Sequence, residues 1–109
     1  MIKSPQTLLR IARVRRIRAE TVLKRVQDEL ESARDEHCRL LLAVSSFDDS
    51  AARPEDLLMS CISGTPQELS RRISACEARI DSLSNEFEDA RRALLQAHFS
   101  ENALAEQLT

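Results

Sequence analysis

Glycine occurs once in this 109-residue sequence, tryptophan and tyrosine not at all, and phenylalanine three times. Strands draw on aromatic and β-branched residues, and the turns between them need glycine. This composition leaves little material for a multi-stranded sheet. No apolar run nears the roughly 18 residues of a membrane span; the longest clean one is Leu40 to Val44. Arginines interrupt the apolar residues of the N-terminal stretch, so it does not read as a signal peptide, and its pattern runs on into the following helix, unlike a transit peptide. Cys38, Cys61 and Cys76 are odd in number and share no C-x-x-C spacing. That argues against a disulfide framework and for a reducing cytoplasm.

Chemistry-bearing patterns are equally scarce. Gly64 is solitary, so no glycine-rich loop can cradle a phosphate. The two histidines, His37 and His98, stand apart, and adjacent His37 and Cys38 cannot share one helix face. Carboxylates are plentiful, but on amphipathic helices they normally form the solvated side. The expectation is a chain that is not an enzyme and needs no metal and no cofactor.

What is abundant is alanine, leucine, glutamate, arginine, glutamine and serine, the mix of long helices. Two heptad arrays carry it. The first runs Leu9, Ala12, Arg16, Ala19, Leu23, Val26, Leu30, Ala33, His37, Leu40, Val44, Phe47. The second runs Leu69, Ile73, Cys76, Ile80, Leu83, Phe87, Ala90, Leu94, Ala97, Glu101, Leu104, Leu108. Both alternate steps of three and four without a slip. A sustained 3.5-residue repeat keeps one seam turned toward a partner helix. Ser4-Pro5 reads as an N-cap with proline at the first helical position, and Thr65-Pro66-Gln67-Glu68 as a capping box.

The predicted fold is all-α: one antiparallel two-helix coiled-coil hairpin, with helix 5–47, connector 48–65 and helix 66–108. Each long helix is about 65 Å at 1.5 Å per residue. In the connector, residues 55–62 suit a short helix whose Leu57, Leu58, Cys61 and Ile62 fold back on Leu42. Pairing Phe47 with Leu69 and stepping outward matches Leu40 to Cys76, Leu30 to Phe87, Leu23 to Leu94 and Leu9 to Leu108. The only charged residue of each seam, Arg16 and Glu101, then falls at one level. We read them as a register-setting pair, against the alternative that each reaches water alone.

Charge is unevenly spread. Residues 1–25 hold eight Lys or Arg against one Glu, a net of +7; residues 26–109 hold eight Arg against seventeen acids, a net of −9. A basic segment leading into heptads suggests a DNA-reading zipper. Such a segment must be free of core contacts, and here Leu9, Ala12 and Ala19 carry the seam through it, with no Asn before position 85. Nucleic acid is therefore not an expected partner, and an acidic protein is. With Leu9 and Ala12 in the seam, Ile11, Val14 and Ile17 point outward, as do Leu95 and Phe99 on the second helix. Exposed apolar residues rimmed by arginines mark an interaction surface. The alternative use for them is a second core with another copy of the chain.

The stretch Leu8-Leu9-Arg10-Ile11-Ala12-Arg13-Val14-Arg15-Arg16-Ile17-Arg18-Ala19-Glu20, followed by Leu23, Gln27, Glu29-Leu30 and Ala33-Arg34, resembles the YscO/FliJ type of type III secretion protein. In that family an arginine-rich, hydrophobic start opens a long antiparallel coiled-coil hairpin. The likeness covers the whole architecture but is motif-like only over about residues 8–34, and the chain is short for the family. It implies a bacterial cytoplasmic stalk of the secretion apparatus, similar in shape to the two-helix part of the γ subunit of rotary ATPases. Such a stalk inserts its paired termini into a hexameric export ATPase, links it to an export gate protein, and meets the membrane only through partners. Some members handle export chaperones. Carried onto this chain, ATPase binding falls on Arg10, Ile11, Arg13, Val14, Ile17, Arg18, Leu95 and Phe99. A mainly monomeric hairpin is expected on this reading; a self-associating chaperone or adaptor would be a dimer or larger.

Overall fold

The computed structural model describes residues 4–50 and 65–108, the side chains of 47–50 excepted. The fold is an all-α helical hairpin. Helix α1 spans Pro5–Ser50 and helix α2 spans Pro66–Leu108. Each start is built by the residue before a proline. Ser4 Oγ accepts the Thr7 amide at 3.2 Å, and the Ser4 carbonyl takes the Leu8 amide at 3.1 Å. Thr65 does the same for α2: its Oγ1 accepts the Glu68 amide at 3.2 Å and its carbonyl the Leu69 amide at 2.9 Å. These bonds satisfy donors that the first turn would otherwise leave orphaned. Among the described residues the Glu68 carboxylate makes no return bond to the Thr65 amide, so one arm of the capping box is closed. Its charge still sits in the first turn of α2, at the favourable end of the helix dipole.

Helix α1 continues to Ser50, three residues beyond the expected end at 47. Asp48, Asp49 and Ser50 are weak helix formers but not breakers, and neither glycine nor proline intervenes before Pro54. The short helix expected at 55–62, with its packing on Leu42, lies outside the described residues, as does the pairing of the Phe47 side chain with Leu69.

The chain divides into two compact units. One comprises Met1–Glu29 with Leu83–Thr109, the other Leu30–Ser82. In a two-helix hairpin each side chain reaches only partners near its own level, so burial is local. In the second unit, Leu40, Leu69 and Cys76 are buried together, with Ala43, Val44, Ile73 and Ile80 packed against them. Leu69 retains only 1% of its accessible surface. The Cys76 thiol also donates to the Ala33 carbonyl at 3.1 Å, a weak bond that ties the two helices. His37, on the seam and half-buried, brings Nε2 within 3.4 Å of Glu77 Oε1.

In the first unit, Ala12, Val26, Leu83 and Ala90 are buried. Leu9, Leu23, Phe87 and Leu94 are half-buried around them. The helices are antiparallel here: Arg16 meets Glu101, and four residues further along α1, Glu20 lies 3.9 Å from His98, three residues back on α2. Every described seam position is at least half-buried except Leu108. No helix among the described residues is long and apolar enough to cross a membrane.

Candidate partner-binding site

Three kinds of feature meet in the first unit: a charged cluster on the seam, a groove beside it, and exposed apolar side chains behind it. The charged cluster is centred on Glu101. Arg16 Nε donates to Glu101 Oε2, and Arg16 also binds Glu20 Oε1 at 2.8 Å. Arg13 Nε stands 3.6 Å from Glu101 Oε1. Hydrogen bonds to Glu20 and then to Glu101 hold the Arg16 guanidinium above its ordinary pKa. It therefore stays charged throughout the range in which the protein would be studied. Partial exposure screens the pair, so its contribution to bulk stability is small.

The groove lies on one side of the seam, where α1 and α2 both bring small residues. On α1 it is lined by Leu8, Ile11, Ala12, Arg15 and Ala19; on α2 by Ala93, Gln96, Ala97, Ser100 and Leu104. Its volume is about 540 Å³. The cause is local composition. Ala19 and Ala97 sit at one level of the matched seams, and two alanines cannot fill the space that a leucine pair would occupy. A second depression of about 390 Å³, lined by Arg10, Ile11, Val14, Arg15 and Arg18, shares Ile11 and Arg15 with the first.

The eight residues expected to form one binding surface are thus divided. Arg10, Ile11, Val14 and Arg18 come together around the second depression. Ile11 corrects the expectation that it points freely outward: it is half-buried and turns its side chain into the groove wall. Arg13 is drawn toward Glu101. Ile17, Leu95 and Phe99 keep 52%, 61% and 77% of their surface exposed. Phe99 does not share a patch with Val14. Val14 lies midway between seam residues Ala12 and Arg16, and Phe99 midway between Ala97 and Glu101. Each stands on the back of its own helix, and the backs of two packed helices face away from one another. Exposed Val14 and Phe99 thus mark opposite sides of the unit, a girdle rather than a face.

Sequence reasoning passed over Leu8, Arg15 and the alanine floor of the groove. It scored each seam alanine as apolar and did not weigh its volume. Aligning Ala19 with Ala97 in the matched register would have located the gap. Arginines 10, 15 and 18 form no ion pair with any described residue. By contrast Arg13, Arg16, Lys24 and Arg25 are each within 4 Å of a carboxylate. Among the described residues no group of three or more His, Cys, Asp or Glu could hold a metal ion. Exposed apolar side chains, a groove and unspent arginines can bind a protein. No family model, curated protein or solved structure matches the chain.

Proposed function

We propose that this protein is a non-enzymatic stalk of a bacterial type III secretion apparatus. Its first unit would enter the central hole of the hexameric export ATPase in the cytoplasm, and the chain would link that ring to the export gate protein. The observation that carries this reading is the girdle. Val14 on one helix and Phe99 on the other are both exposed, each midway between seam residues and so on opposite backs of one unit. A partner that lies flat against a protein needs one contiguous apolar face. A partner that encircles a shaft touches it on all sides. The arginine-rich start of α1, whose residues carry the resemblance to secretion stalks, supports the same reading.

The test is ATP turnover by the cognate export ATPase with and without this protein, alongside its mass in solution. Stimulation by a monomeric protein is the expected outcome. Ile17→Asp and Phe99→Asp should remove the stimulation while helical content is kept, because both side chains are already solvated. The exposed apolar residues also allow a second reading, a self-associating adaptor or chaperone for secretion substrates in which they form a second core with another copy. A stable dimer with no effect on ATP turnover would overturn the stalk in its favour.

A further inference from the structure

We infer that the groove of the first unit is the docking site for a third helix, an acidic amphipathic segment of a partner protein. The inference goes beyond the stalk reading and does not depend on it. The floor is apolar and shallow, made by Ala12 and Ala19 on α1 and by Ala93, Ala97 and Leu104 on α2. Its walls run along both helices over twelve residues, from Leu8 to Ala19 and from Ala93 to Leu104, eleven rises of 1.5 Å or about 17 Å. That is three turns of helix. Alanines at four- and seven-residue intervals leave the recesses into which side chains at i, i+3, i+4 and i+7 of an added helix settle.

Charge selects the occupant. The α1 side of the groove carries Arg15 in its wall, with Arg10 and Arg18 beside it, all three without a carboxylate among the described residues. The α2 side offers only Gln96 and Ser100 as polar groups. A desolvated apolar floor with one cationic rim matches a helix that has a leucine- and alanine-type stripe and carboxylates along the flank facing α1. A nucleic acid would find no aromatic ring here on which to stack a base. A second copy of this chain would have to bring carboxylates over these arginines, yet the groove walls it offers in return carry no carboxylate.

The probe is a synthetic three-heptad peptide with leucine and alanine on one stripe and glutamate on the flanks. Its control carries lysine in place of every glutamate. Both are titrated into the full chain by fluorescence anisotropy, with methyl chemical shifts of Ala12, Ala93 and Ala97 recorded in parallel. The acidic peptide is expected to bind at least ten-fold more tightly than the lysine peptide and to move those methyl signals. Arg15→Glu should reverse the preference, and Ser100→Trp should fill the groove and abolish binding, with circular dichroism and solution mass unchanged. Equal affinity for the two peptides overturns the inference, as does binding indifferent to both substitutions. A dimer of the chain that Ser100→Trp dissolves would give the groove to a second copy and overturn it too.

Discussion

Arg16 shows how a charged residue earns a place in an apolar seam. It reaches forward one turn to Glu20 and across to Glu101, while Arg13 approaches the same carboxylate from the other side. The four residues alternate in sign, so each carboxylate faces arginine and each arginine faces a carboxylate. This arrangement makes an asymmetric forecast about a charge swap. Arg16→Glu or Glu101→Arg alone places like charges in contact and should lower the thermal midpoint. The double swap restores the pair itself, but it also sets the new glutamate beside Glu20 and the new arginine beside Arg13. Recovery should therefore be partial in the native background. It should be complete once Arg13 and Glu20 are both alanine. Thermal melts of the full cycle measure this, and simple additivity in that cleaned background would show that the residues do not couple.

At the scale of the helix, the 3–4 alternation was enough to place both elements and their inward stripes, because burial follows the stripe at every described position but the last. Both helix starts were legible for a similar reason: a hydroxyl residue before proline leaves the chain few other options. The far end of α1 was less so, since aspartate and serine weaken a helix without stopping it. What periodicity hides is size. It gives Ala19 and Leu23 the same weight, although one opens a groove and the other half-fills the seam. It also hides direction, grouping Val14 with Phe99 because both are off-seam, when they stand on opposite backs. The difference between on-seam and off-seam leucine is measurable. Leu69, at 1% exposure, should cost about 2–5 kcal/mol on replacement by alanine. Leu95 is equally apolar but exposed, and its replacement should change stability by no more than about 0.5 kcal/mol. Urea titrations followed by helical signal separate these cases, and equal losses would mean that Leu95 is covered in solution.

For the molecule as a whole, the question is what kind of partner can use a girdle. The basic segment 1–25 and the acidic remainder divide the chain by charge, and the exposed apolar residues of α1 begin within the basic part. A flat partner would engage one back of the first unit and leave the other in water. A ring would engage both. The two geometries differ in how single substitutions combine. If a ring encloses the unit, Val14→Asp on one back and Phe99→Asp on the other should each weaken ATPase stimulation, and their effects should multiply in the double variant, since the two sites share no contact. If the partner is flat, one of the two substitutions should be silent and the double variant no worse than the damaging single one. Ser100→Trp provides the internal control, because Ser100 lines the groove and not the second depression around Val14. A variant that loses helix-groove binding while keeping full stimulation would show that the groove and the girdle serve different partners. A variant that loses both would place the ring's own contact in the groove, and the girdle would then have no part in it.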